Sequence, residues 1–235
     1  MMKNKFRILV SSCDKYSYIW DVLEFSHKNY LGSDYKDYTD LITETKKSNY
    51  FNTMNYSGKW KDMILSYLTN IDTDYILYLQ DDYIFWKNII PFDYFDYLVD
   101  ICNQKDIDHL LLTNKSDLYK PTFIENTKYG ELYKREYNGD YLASLQMGIW
   151  KKTYMIDLIN KINPNSIWDF ELSANKFCID MKAKLYLFYN IKDNISRVYE
   201  PSEIVRKGQV LDNIKKGGEI NNKFINDYPL FNIEI

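Results

Sequence analysis

"YILYLQDDYIFW", Tyr75 to Trp86, decides how the rest of the chain is read. Its first half is an apolar run bounded by polar residues, the pattern of a strand buried on both faces. That run ends on two adjacent carboxylates, Asp81 and Asp82, and the chain then becomes apolar again. Neighbouring carboxylates raise one another's pKa unless a cation or a basic group compensates them. In an open α/β sheet the carboxyl ends of the strands face the ligand crevice, so an acidic pair placed there has a use. Hard oxygen ligands suit Mg²⁺ or Mn²⁺, which bind through one or two carboxylates plus substrate phosphates. The stretch therefore predicts a strand that delivers a metal–diphosphate site.

Working outward, the segments on either side alternate strand and helix. "FRILVSSC", Phe6 to Cys13, is a short apolar run ending in small hydroxyl residues, and Ile19, Val22, Leu23 and Ser26 then recur at helical spacing. "YTDLITET" is a second strand centred on Leu41 and Ile42. Trp60, Met63, Ile64, Tyr67, Leu68 and Ile71 mark the clearest amphipathic helix, which starts just after Ser57 and Gly58. Beyond the doublet, Pro91 and Phe92 open a helix with Phe95, Leu98, Val99 and Cys102 inward, and "HLLLT" from His109 is a further strand. Residues 114–140 are polar, with Pro121, Gly130 and Gly139, and read as a long loop or a small excursion. "YLASLQMGIW" returns to strand character, a helix covers Lys152 to Ile162, another starts near Trp168, and "KLYLFYN" is a late strand. Such alternation predicts an α/β fold with a mostly parallel, Rossmann-like sheet sandwiched by helices. One domain is expected over residues 1–235, with a nucleotide-binding half to about 113 and an acceptor-binding half beyond it.

Composition removes several function classes. With 46% hydrophobic and 27% charged residues the chain is globular, and a net charge of −3 gives no field for nucleic acid. Cys13, Cys102 and Cys178 lack metal-ligand spacing and read as reduced thiols in a cytoplasmic setting. The apolar run after Lys3, Lys5 and Arg7 stops at Val10, short of a signal-peptide core, and no stretch reaches membrane-span length. A soluble protein is expected, with peripheral membrane association left open. The 23 tyrosines are the unusual count; they fill amphipathic core positions or offer surfaces on which rings can stack. His27 and His109 read as structural.

Four pieces, "ILVSSCDKYSYIWD", "YILYLQDDYIF", "YLASLQMGIWKKTYMIDLI" and "SIWDFELSANKF", resemble in order and spacing the GT-A-fold glycosyltransferases of bacterial and viral glycan-building type. The doublet corresponds to their D-x-D motif in a variant reading x-D-D, with Gln80 where many members carry the first acid. The resemblance implies a sugar transferred from a nucleotide-diphosphate donor (UDP-, GDP- or dTDP-linked) to a glycan, lipid-linked or protein-linked hydroxyl, inverting and assisted by Mn²⁺ or Mg²⁺. It implies that Asp82 ligates the metal and that Asp81 contacts the ribose or the metal's water shell. Ser11, Ser12 and the loop through Tyr16 stand where the family holds the nucleoside. Lys61 is placed to reach a phosphate, while Trp60 belongs to the core stripe.

Transfer also needs a base for the acceptor hydroxyl. Asp169 and Glu171 in "WDFE" are the candidates; the family pattern favours Glu171, and Asp169 has the alternative role of helix N-cap. Gln146 offers both donor and acceptors to sugar hydroxyls. Gly148 permits either close approach of the donor sugar or a bulged core strand. Arg206, followed by Lys207 and Gly208, is placed on a loop that closes over the diphosphate. Two other classes compete: a sugar nucleotidyltransferase, for which "SSCDKYS" lacks the expected glycines, and a non-catalytic carbohydrate-binding module.

Overall fold

The computed structural model describes residues 5–31, 33–85, 90, 93–112, 121–138, 141–189 and 202–203. Its centre is a nine-stranded sheet in the order β3-β2-β1-β4-β9-β6-β10-β8-β7. The strands are β1 (Phe6–Ser11), β2 (Thr39–Thr43), β3 (Asn52–Asn55), β4 (Tyr75–Gln80), β6 (His109–Leu111), β7 (Pro121–Asn126), β8 (Glu131–Arg135), β9 (Gly148–Lys151) and β10 (Leu185–Tyr189). Neighbours β3, β2, β1 and β4 are parallel, as are β6 and β10; β9 lies antiparallel between β4 and β6. Within the sheet β8 and β9 run against the other strands. The fold is thus α/β, with most strands running one way. A short second sheet pairs β5 (Tyr83–Ile84) with β11 (Ser202–Glu203).

Alternation along each strand divides the core into two layers. From β1, Phe6, Ile8 and Val10 face α1 (Trp20–Ser26) and α3 (Tyr94–Lys105), whereas Leu9 faces α2 (Trp60–Asn70), α4 (Lys152–Ile162) and α5 (Ile167–Asp180). In β4, Tyr75, Leu77 and Leu79 join the first layer, and Ile76 and Tyr78 the second. All five are buried, as a continuous apolar run requires. Helices therefore cover both faces of the sheet, and its carboxyl edge is left to carry chemistry. Among the described residues no helix is long and apolar enough to cross a membrane.

A buried polar knot anchors the parallel half. Asp40 on β2 accepts from Arg7 Nε (2.8 Å), Tyr67 Oη (2.8 Å) and Asn52 Nδ2 (2.5 Å), so one carboxylate ties β1, β3 and α2 together. Burial of Arg7 works against its charged form, but Asp40 outweighs it and holds the guanidinium pKa above its ordinary value.

The structure departs from the sequence expectations in three places. Residues 114–140 are not one long loop: β7 and β8 form an antiparallel hairpin at the sheet edge, closed by Thr127 N–H donating to Gly130 O (2.7 Å). Their side chains are mostly half-buried or exposed, so no apolar run announced them. The polar strand β3 is hidden for the same reason. "YLASLQMGIW" contributes a strand only from Gly148, because residues 141–147 are a turn pinned by α5. The third helix starts at Tyr94; Pro91 and Phe92 lie outside the described residues.

Candidate active site

Three parallel strand ends stand level. Ser11 on β1 pairs with Ile42 on β2 and with Gln80 on β4, and the ladder continues through Ser12 N–H to Ile42 O (3.0 Å) and Asp81 N–H to Ser11 O (3.2 Å). The backbone thus carries Ser12, Glu44 and Asp81 to one edge. A cleft of about 190 Å³ opens there, lined by Ser11, Ser12, Tyr16, Glu44, Gln80 and Asp81, with Trp60, Met63 and Ile167 on the helical side.

Asp81 is 7% exposed. Its Oδ2 accepts from Ser12 Oγ, and Ser12 Oγ in turn accepts from Trp20 Nε1 (2.8 Å). Burial pushes the Asp81 carboxyl up to about 7; the Ser12 hydroxyl pulls it back and the Asp82 charge raises it again. Asp82 is half-buried and leads into β5, which β11 flanks. Ser12 has one proton, and that proton is committed to Asp81, so toward a ligand its hydroxyl acts as an acceptor.

The walls are equally built. Asp14 accepts from Thr43 Oγ1 (2.9 Å), Thr45 N–H (3.1 Å) and Lys46 N–H (2.9 Å), and its own N–H donates to Glu44 Oε2 (2.6 Å). The Thr45 hydroxyl and these amide donors hold its carboxyl far below the usual range. The loops after β1 and β2 are thereby locked into one wall. Burial pushes the Cys13 thiol up, which suits packing rather than nucleophilic attack. Trp60 both lines the cleft and belongs to the core: it tilts on Phe170 at 5.4 Å, and its Nε1 donates to Tyr78 Oη (3.3 Å).

The two proposed halves of the chemistry meet at one residue. Glu171 on α5 accepts from Leu145 N–H (2.7 Å) and from Ser144 Oγ (3.3 Å), while Gln80 Nε2 donates to Leu145 O (3.4 Å). The residue before the acidic doublet and the candidate base thus grip opposite sides of Leu145. Gln146 follows in that turn and is half-buried. Asp169 sits one turn into α5 and serves its start: the N-cap is Ser166, whose Oγ accepts from Asp169 N–H (3.1 Å), and the Asp169 carboxylate accepts from Asn165 N–H (2.8 Å). The cap assigned to Asp169 in the sequence thus belongs to Ser166. Lys61 is half-buried, and its ammonium donates to Asn163 Oδ1 at the end of α4. Arg206 lies outside the described residues.

Gly148 has a structural reason to lack a side chain. A Cβ there would lie 2.7 Å from His109 Nε2 and 3.1 Å from Leu110 O. His109 stacks on Trp150 at 3.8 Å, so the glycine makes room for an imidazole in the core. Trp20, Glu44 and Tyr78 were missed in the sequence; Glu44 carried the same signal as Asp81, an acid at the end of a predicted strand.

No family model matches the sequence, and no curated protein matches it significantly. Among solved structures, the chain is similar to a cytidylyltransferase from Leptospira borgpetersenii serovar Hardjo-bovis at TM-score 0.47 and 13% identity, covering 83% of this chain and 79% of that one. It is similar to residues 1–349 of S. aureus TarS at TM-score 0.42 and 12% identity, over 97% and 73% of the two chains. A UDP-glucose pyrophosphorylase complexed with UDP-glucose gives TM-score 0.44 at 6% identity, over 78% and 90%. At these scores the similarities carry no argument about fold or activity.

Proposed function

We propose that the chain is a nucleotide-sugar-dependent glycosyltransferase of inverting, metal-assisted type. The observation that carries this reading is the placement of Asp81 in the lining of a cleft, with Asp82 the next residue in the chain and Gln80, the residue before the doublet, joined through Leu145 to Glu171. A displacement at a sugar carbon needs a site that stabilises the leaving diphosphate and a base for the acceptor, held in register with each other.

The donor set fits Mn²⁺ or Mg²⁺. Asp82 offers hard carboxylate oxygens of the kind these ions take, next in the chain to buried Asp81. Such ions bind through one or two carboxylates and complete their shell with substrate phosphates. When bound, the ion supplies charge stabilisation for the leaving diphosphate. Asp82 is the ligand in this reading. Asp81, fixed by Ser12, orients the ribose or the water around the ion. Ser11, Ser12, Tyr16 and Glu44 receive the nucleoside, Gln146 meets sugar hydroxyls, and Glu171 takes the acceptor's proton. Lys61 and Arg206 remain assigned to the phosphates on the family resemblance, although Lys61 is held by Asn163 in this state. Asp169 supports Glu171 by fixing the start of α5.

Incubation with UDP-, GDP- and dTDP-sugars and Mn²⁺ tests the assignment. A transferase releases nucleoside diphosphate slowly without acceptor, a nucleotidyltransferase consumes nucleoside triphosphate and releases pyrophosphate, and a binding module does neither.

A further inference from the structure

Helix α5 carries an apolar surface that folding does not use. Trp168 is 73% exposed and Leu172 69%, one turn apart on the same side of the helix. Tyr141, 42% exposed, meets α5 one turn beyond Leu172, because the next residue's N–H is fixed to Asn175 Oδ1 (2.7 Å). Tyr141 also adopts φ 52°, a left-handed conformation that is a genuine outlier for so bulky a residue. Buried Arg135 holds it there, donating from Nη2 to the Tyr141 carbonyl (2.7 Å). A strained backbone that presents an exposed aromatic residue is a feature that concentrates at functional sites.

The position of this surface names its occupant. Trp168 and Glu171 are three residues apart on a helix, which places their Cβ atoms about 5–6 Å from each other. Ile167, the neighbour of Trp168, lines the cleft. A sugar ring presents an apolar C–H face together with hydroxyls, and here an indole stands one helical turn from half-buried Glu171, whose carboxylate holds the turn that leads to Gln146. A helix that lies on a membrane buries a long apolar face; here Asn175 and Lys176 separate Leu172 from Ile179, so the exposed apolar surface beside Glu171 is short, on the scale of one sugar unit. We propose that Trp168, with Leu172 and Tyr141, is the platform on which the acceptor saccharide lies while its hydroxyl reaches Glu171. This rests on the transferase reading, but sugar binding itself is measured independently of it.

The test is retention of the full chain on a printed glycan array, comparing wild type with Trp168→Ala and Trp168→Phe. Selective retention that falls about tenfold in the alanine variant and returns in the phenylalanine variant is the expected result, the scale of one aromatic contact. A silent array, or retention unchanged by Trp168→Ala, overturns the proposal. So does Trp168-dependent binding to phosphatidylcholine–phosphatidylglycerol vesicles, or Trp168-dependent dimerisation in sedimentation, without glycan retention. Thermal shift with UDP, GDP and dTDP plus Mn²⁺ is recorded alongside. If no nucleotide stabilises the wild type while glycan retention depends on Trp168, the transferase reading fails and the platform stands.

Discussion

Replacing Glu171 separates its two duties, because the structure shows what each substitution removes. The side chain accepts from Leu145 N–H at 2.7 Å, and Leu145 is fully buried. Glu171→Gln keeps an oxygen in place to accept that bond but cannot take a proton. Glu171→Ala leaves a buried N–H without this acceptor, which costs about 1–3 kcal/mol. For a chain of this size that is roughly a 2–12 °C fall in Tm. The glutamine variant should stay within about 1 kcal/mol of wild type, since one neutral acceptor replaces a charged one. In diphosphate release with an accepting glycan, loss of the base should lower kcat by about 10²–10⁴ in both variants. Urea unfolding and donor turnover, run on both proteins, make the comparison. A glutamine variant with near wild-type turnover refutes the base assignment; one as unstable as the alanine variant refutes the Leu145 geometry.

Other consequences follow from the same structure. Gly148→Ala drives a Cβ to 2.7 Å from His109 Nε2 and should cost about 1–3 kcal/mol in urea unfolding, as overpacking does; His109→Ala in the same chain should recover part of the loss. His27 is buried against Phe51 and Phe85, and neither ring nitrogen has a hydrogen-bond partner among the described residues. Burial lowers its pKa to about 3, so the unfolded chain binds the extra proton below pH ~6.5; stability is full above that value and falls by about 1.4 kcal/mol per unit as pH drops toward 3. Acid titration of His27→Leu should show a slope smaller by about one proton. Asp40→Ala strips Arg7 of its buried partner and should destabilise by about 3–5 kcal/mol in the same assay.

What could be read in the chain followed from how each segment is buried. The apolar run of β4 and the stripe of α2 announce themselves because burial on both faces of a strand, or on one face of a helix, leaves a periodic signature. Strand β3, "NTMN", and the β7–β8 hairpin sit at the two edges of the sheet, where a half-exposed strand needs no such signature. The antiparallel insertion of β9 between β4 and β6 was likewise invisible, since strand direction leaves no mark on composition. At the site, the acids at strand ends were legible and the supports were not. Ser12 was legible as a hydroxyl at a strand end, but its bonds to Asp81, 69 residues later, and to Trp20 at the start of a helix depend on packing. Glu171 was legible as an acid in "WDFE"; its bond to Leu145, 26 residues earlier, depends on packing that local patterns do not encode.

Isothermal titration of UDP, GDP and dTDP, with and without Mn²⁺, into wild type and Asp82→Ala measures the central claim most directly. The account predicts that one nucleotide binds in the presence of Mn²⁺ and that both chelation and Asp82→Ala remove most of that affinity. Nucleotide binding that is equally tight in the variant, with Mn²⁺ retained, would contradict it.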